Sequence, residues 1–167
     1  MLKLLGGLMI CTVCSYCGFY MSDRLKRRRD FLLGMENALS FIKTEIEFGR
    51  YDLKHIFLKI DNSPQLCGFF GICTDRIEEL GIKKAWSEAA DKTGDVANLK
   101  VEDKNVLREL SRELGMSDVE GQKKAINRTA DHIKECRKNA EEEYARLSKT
   151  YKGCGVLLGV FFLIILI

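Results

Sequence analysis

The feature that most constrains this chain is where its charges stop. Every Asp and Glu lies between Asp23 and Glu143, nothing charged follows Lys152, and Lys3 is the one charge before Ser22. The chain therefore reads as an uncharged head, a charged middle and an uncharged tail. Leu4 to Met21 is an 18-residue uncharged run, close to the roughly 20 residues with which a helix crosses a bilayer, and it predicts a transmembrane helix over residues 1–21. A cleaved signal peptide fits less well. No A-x-A site follows the run, and the dense basic block Arg24-Leu25-Lys26-Arg27-Arg28-Arg29 resists translocation. A lipoprotein site at Cys11 is excluded by bulky Met9 and Ile10 before it.

Residues 153–167 form the tail, ending in an aliphatic run from Val156 to Ile167. Fifteen residues of helix reach about 22 Å, short of a ~30 Å hydrocarbon core. With Lys152 snorkelling and Tyr151 at the interface, the tail either spans a thinned bilayer or stops inside it. It has no polar face with which to meet water as a soluble helix. The basic residues after the first span, and Arg146, Lys149 and Lys152 before the second, predict a cytoplasmic middle domain, residues 22–152, with both termini toward the outer side. Three of the seven cysteines lie in the first span and one in the last segment, which suggests no disulfide framework.

The middle is helical in its periodicity throughout. Phe31, Leu32, Met35, Leu39, Ile42 and Ile46 form one stripe, ended by Gly49, and Leu53, Ile56, Phe57 and Ile60 form a short second one. Ser63-Pro64 opens a helix whose buried side is Leu66, Phe69, Phe70, Cys73, Ile77 and Leu80, closed by Gly81. Ile82–Asp91 predicts a shorter helix carrying Trp86, broken by Thr93-Gly94-Asp95, and Val101–Leu114 another, with Gly115 as its C-cap. Ser117-Asp118-Val119-Glu120 is a capping box. It opens a near-heptad stripe from Val119 through Gln122, Ile126, Thr129, Ile133, Cys136, Ala140, Tyr144 and Leu147 to Tyr151. This last helix can run on into the tail, and the first can emerge unbroken from its span. The fold class is all-α: an antiparallel helical bundle between two transmembrane segments.

The chemistry expected of an enzyme is missing from the sequence. There is no phosphate-cradling G-x-x-x-x-G-K-[ST] loop, and His55 and His132 stand apart. Cys11-x-x-Cys14-x-x-Cys17 falls in the apolar run and lacks a nearby fourth ligand, so neither a metal nor a cluster is expected and no cofactor is assigned. Instead Gly7, Cys11 and Gly18 in the first span, with Gly155 and Gly159 in the last, are small-residue positions suited to close helix packing in the membrane. Setting Lys3 aside, basic residues outnumber acidic ones in the middle by about two, too even a balance for a nucleic-acid binder.

The order of segments, together with Met1-Leu2-Lys3-Leu4-Leu5-Gly6, Leu39-x5-Glu45-Ile46-x2-Gly49, Ala85-Trp86, Leu114-Gly115-x2-Asp118-x3-Gln122 and Tyr151-x3-Gly155-Val156-Leu157-x-Gly159, resembles the stage III sporulation protein AB family over essentially the whole chain. Asp52 departs from it, since the family usually has proline there, as does the cysteine content of the first span. The resemblance implies a component of a secretion-like channel complex joining mother cell and forespore. It also implies a helical domain similar to that of secretion platform proteins, a cytoplasmic secretion-type ATPase as partner, and residence in the mother-cell membrane among the other channel components. Stoichiometry stays open, with room for an oligomer. Expected partner-binding residues are Glu45, Gly49, Trp86, Asp118 and Gln122. A coupling platform for the ATPase is the leading reading, a passive membrane anchor for other channel components the alternative, and an intramembrane redox enzyme the weakest.

Overall fold

The computed structural model describes residues 2–49, 52–61, 63–115 and 118–166, with side chains over 6–165 of these. The described residues are helical and contain no strand. The elements are α1 (Leu2–Glu47), α2 (Leu53–Ile60), a 3-10 turn (Pro64–Leu66), α3 (Phe69–Val96), α4 (Val101–Leu110) and α5 (Val119–Leu166). They divide into two compact units. Unit 1 comprises Met1–Lys26 with Asn139–Ile167, and unit 2 comprises Arg27–Lys138.

Unit 2 is built on an aromatic core. Phe57, Phe69, Phe70 and Trp86 are fully buried. Their ring centroids lie 4.8 Å apart for Phe69 and Trp86, 5.2 Å for Phe69 and Phe70, and 5.3 Å for Phe57 and Phe70, separations at which tilted and edge-on rings attract. The Trp86 indole N–H donates to the Leu107 carbonyl at 2.9 Å, which satisfies its one polar atom and ties α3 to α4. Around this cluster the expected α1 stripe is buried at Phe31, Leu32, Met35, Leu39 and Ile42, while Ile46 is half-buried near the end of the helix. Ile56, Phe57 and Ile60 are the buried side of α2, and Ile126, Thr129 and Ile133 that of α5 within this unit.

Two local boundaries differ from those the sequence predicts, and one, at Gly81, agrees. Thr93-Gly94 does not break α3. The Thr93 hydroxyl donates to the Ala89 carbonyl at 2.6 Å, and Gly94 leaves room for the Lys104 side chain, whose Cε would lie 2.6 Å from an added Cβ. The helix stops further on, at Asn98, whose left-handed φ of 57° lets Leu99 N–H donate to the Gly94 carbonyl at 2.8 Å. Gly81 does interrupt α3, with φ 73° and ψ 161°, a conformation open to glycine at little cost. Finally, α4 ends at Leu110 rather than Leu114, although Leu114 is fully buried in the turn that follows. Ser117 lies outside the described residues; Asp118 caps α5, its carboxylate accepting from Gly121 N–H at 3.0 Å.

The interior also holds a charge pair. Arg28, 5% exposed, donates through Nε to Asp103 Oδ2 at 2.7 Å and through Nη2 to Oδ1 at 3.0 Å, and Asp103 is wholly buried. The same carboxylate accepts from Lys100 N–H at 2.9 Å, closing the first turn of α4, and its charge acts on Cys136 of α5. One member of the basic block that follows the head is therefore an interior structural residue rather than a solvent-facing charge.

In unit 1 the two long helices run antiparallel through small residues. A Cβ added to Gly18 would sit 2.5 Å from the Tyr151 carbonyl oxygen, one on Gly155 2.8 Å from the Cys14 carbonyl oxygen, and one on Gly159 2.9 Å from Cys11 Cα. At Gly7 it would meet Leu163 Cδ1 at 2.7 Å. Beyond that stripe, Ser22 and Ser148 share a buried hydroxyl hydrogen bond of 2.6 Å. The outward side chains are apolar and exposed, among them Leu8, Val13, Tyr16, Phe19, Leu157, Phe161 and Ile164.

By length and composition one helix among the described residues, over Val119–Ile165 of α5, can cross a membrane. The expected N-terminal transmembrane helix is not confirmed. Gly6, Gly7, Thr12, Ser15, Tyr16, Gly18 and Tyr20 dilute the apolar character of α1.

Replacing Arg28 by methionine leaves Asp103 buried and without its counter-charge, and the chain is expected to lose about 3–5 kcal/mol of stability. Replacing Asp103 by leucine as well should recover most of that loss. A deficit of about 1 kcal/mol should remain, because Lys100 N–H loses its capping partner. Denaturation of the full chain in detergent, followed by helical circular dichroism, checks both values.

Candidate functional site

Four of the five residues expected to bind a partner come together where α1 stops and α5 starts, at one end of unit 2. The contact that joins them is Lys123, whose ammonium lies 3.1 Å from Glu47 on α1 and 3.1 Å from Glu120 on α5. These two carboxylates hold the Lys123 pKa above its ordinary value. Farther along the same helix pair, Arg137 Nε donates to Glu36 at 2.6 Å, so the antiparallel register carries an ion pair at both places.

The expected residues have different roles at this end. Asp118 is exposed and serves as the α5 cap, with Gln122 N–H donating to its carbonyl at 2.9 Å. Gln122 itself is half-buried and engaged. Gly49 takes a left-handed φ of 59° in the turn after α1, and an added Cβ would meet nothing, so backbone conformation alone calls for glycine there. Glu45 is less open than its position one residue off the stripe implies. Its side chain is 17% exposed and its Oε2 lies 3.5 Å from Lys59 Nζ on α2. That oxygen has an ion-pair neighbour but no hydrogen-bond donor among the described residues.

Trp86 requires a correction. It is fully buried at the centre of the aromatic core, with its N–H satisfied inside, and no surface is left to anchor a partner. A lone tryptophan in an alanine-rich helix suits a contact anchor or a core residue equally well. Here the small neighbours Ala85, Ala89 and Ala90, all buried, let α3 pack closely around the indole.

The structure adds groups the periodicity did not single out. Phe48 and Val119 are 63% and 49% exposed at this same end, flanked by Glu47, Glu120 and Lys123. A groove of about 240 Å³ runs between α1 and the α2 to 3-10 segment, lined among others by Asn37, Phe41, Lys59 and Gln65. Gly34 belongs to the same wall, since a Cβ there would press 3.2 Å against Leu66. Lys59, shared by the groove and the Glu45 pair, makes the two features continuous. Phe48, as the residue after an amphipathic stripe and before a terminating glycine, was the one signal in the sequence for an exposed apolar end.

No three His, Cys, Asp or Glu side chains gather as a metal site among the described residues. Burial raises the thiol pKa of Cys73, and burial with the Asp103 charge raises that of Cys136 to about 11. Both shifts run opposite to the activation a nucleophilic or redox cysteine needs. What the geometry offers is a docking end of mixed apolar and charged character on the helical bundle of unit 2 and, in unit 1, a tightly packed pair of apolar helices.

These features define a class, an all-α protein with a helical domain and an apolar helix pair. The family follows from comparison. The family model described as stage III sporulation protein AB matches residues 3–167, and the chain belongs to that family. Stage III sporulation protein AB of Bacillus subtilis (strain 168) is 26% identical over 170 aligned positions, which cover 99% of each chain. A solved structure of stage III sporulation protein AB, 23% identical, superposes with a TM-score of 0.66 over 71% of this chain and 97% of that one, and shares its fold. The chain is thus a sporulation-family protein, and the relatives carry the name of a sporulation protein rather than of an enzyme.

Because Glu45 is part-buried against Lys59, Glu45→Arg should cost about 1 kcal/mol by setting two cations together. Adding Lys59→Glu should restore the pairing in reverse. A double-mutant cycle on melting temperature measures the coupling directly. For Cys136, the folded chain holds the thiol protonated up to about 11 while the unfolded chain ionises near 9.0. Its stabilisation is therefore complete below pH 9 and lost as pH rises through 11. Maleimide labelling of a variant retaining only this cysteine should accordingly be slow at neutral pH and accelerate across that window.

Proposed function

We propose that this protein is a non-catalytic membrane platform of a secretion-like sporulation channel, and that the end of unit 2 formed by Glu47, Phe48, Asp118 and Val119 docks a cytoplasmic secretion-type ATPase. The observation that carries the reading is the segregation of surfaces. Unit 1 turns large apolar side chains outward around a stripe of glycines, as helices in lipid do. Unit 2 buries its aromatics and leaves Phe48 and Val119 exposed among charges, the composition of a protein interface with an apolar centre and a polar rim.

In this reading α1 and α5 both root in the mother-cell membrane, the tail spanning or entering it. Unit 2 lies in the cytoplasm and both termini lie toward the outer side. Arg24, Lys26 and Arg27, with Arg146, Lys149 and Lys152, supply the positive-inside flank, whereas Arg28 is spent on Asp103 and contributes little to it. The remaining channel components contact the apolar helix pair, and the chain acts by position and attachment, without chemistry of its own.

The test uses the full chain in detergent micelles with the cognate ATPase in a calorimetric titration. Phe48→Ala together with Val119→Glu should weaken binding by at least ~1 kcal/mol while changing stability by no more than about 0.5 kcal/mol. Equal affinities would move the contact off this end. No binding by the unaltered chain would favour the passive anchor instead. Orientation is read separately by introducing one cysteine at exposed Lys83 in a cysteine-free background. An impermeant thiol reagent applied to intact cells should fail to reach it.

A further inference from the structure

Within unit 1 a cleft of about 320 Å³ opens between α1 and α5, lined by Phe19, Ser22, Asp23, Lys26, Tyr144 and Lys152. It sits where both helices change character: α1 carries no charge from Leu4 to Met21, and α5 carries none after Lys152. Two cations, Lys26 and Lys152, line this cleft against one carboxylate, Asp23. Among the described residues neither Lys26 nor Lys152 is in an ion pair, and the recorded contact of the Lys152 ammonium is with the Phe19 ring, 5.7 Å from its centroid. Asp23, the carboxylate on the wall, is already engaged with another group.

Hydroxyls complete the lining. Ser22 is 2% exposed and shares a 2.6 Å hydrogen bond with Ser148. Either hydroxyl can be the donor in that bond, and with Ser148 donating, the Ser22 proton is available to an acceptor in the cleft. Tyr144 also lines the cleft and is already engaged with another group. Next to these polar groups Phe19 is 53% exposed, and Tyr16, one turn before it on α1, is 71% exposed. One wall thus offers ammonium and hydroxyl donors to an anion, and the surface next to it is apolar.

The geometry points to a binding site for the headgroup of an anionic phospholipid, the phosphate held by Lys26, Lys152 and the Ser22 hydroxyl, with the acyl chains lying along Phe19 and Tyr16, which is one turn earlier on the same side of α1 and also exposed. A zwitterionic choline headgroup fits less well, because its own cation would approach the two lysines. Basic clefts between membrane helices on the cytoplasmic side take such headgroups for the same electrostatic reason. The site rests on the proposal that unit 1 lies in a bilayer. It adds to it a specificity that lipid-facing apolar residues alone do not confer.

The experiment compares lipids carried by the full chain in native mass spectrometry from detergent, with phosphatidylglycerol or phosphatidylcholine added. Lys26→Gln with Lys152→Gln should lower phosphatidylglycerol occupancy roughly tenfold and leave phosphatidylcholine unchanged. Lys149→Gln, the loss of one charge on exposed α5 surface outside the cleft, should alter neither by more than about twofold. Lys26→Arg with Lys152→Arg should retain binding, which guards against loss through misfolding. An unchanged occupancy in the double glutamine variant, or an equal drop in Lys149→Gln, would overturn the site. Displacement of the lipid by millimolar inorganic phosphate would also overturn it, by reassigning the cleft to a free anion. Flotation with pure phosphatidylcholine vesicles reports on membrane insertion alone. A chain that does not float refutes the bilayer reading, and one that floats without any phosphatidylglycerol preference in the spectrometer refutes the cleft.

Discussion

Asp103 is the point on which unit 2 turns. A fully buried carboxylate is costly unless its lone pairs are engaged, and this one receives the Arg28 guanidinium from α1 and the first-turn N–H of its own helix α4, while its charge acts on Cys136 of α5. Three elements distant in sequence are thereby set at one place with little freedom of register. The aromatic core around Trp86 supplies the greater part of the burial, but apolar contacts are non-directional. The bidentate pair is directional, and it fixes which turn of α1 faces which turn of α4.

The two units solve different solvent problems with the same pair of long helices. In unit 2 the α1 and α5 faces are separated by full-sized side chains and held by ion pairs such as Glu36 with Arg137 and Glu47 with Lys123. In unit 1 they meet through glycine and cysteine, where an added methyl would collide with backbone. Close backbone approach maximises dispersion contacts, which on the reading proposed above would hold the two helices together in lipid. A protein with surfaces divided in this way suits attachment and docking more than catalysis, and its raised cysteine pKa values accord with that.

Membership of the stage III sporulation protein AB family places the chain in sporulation, and the particular surfaces suggest how it participates. The end bearing Phe48 and Val119 and the basic cleft at Lys26 and Lys152 are distinct in chemistry, one apolar within a charged rim and the other cationic beside an apolar wall. One suits a protein and the other a lipid headgroup. The platform role proposed above would use both attachments.

Much of the architecture was legible in the sequence because helical periodicity and charge segregation are local and one-dimensional. The stripes at Phe31 to Ile42, the interruption at Gly81, the long final helix running into the apolar tail and the small-residue positions Gly18 and Gly155 all follow from spacing along the chain. Tertiary structure decided what spacing cannot encode. Arg28 looks like one more cation in a basic block until a carboxylate 75 positions away proves to be its partner. Trp86 became core because Phe57, Phe69 and Phe70 converge on it, and Thr93-Gly94 stayed helical because Lys104 folds across it. Glu45, one residue off a stripe, was drawn in by Lys59 of the following helix. In each case the deciding energy is a contact between residues far apart in the chain, and a periodicity measured within one helix carries no information about what another helix brings to its surface.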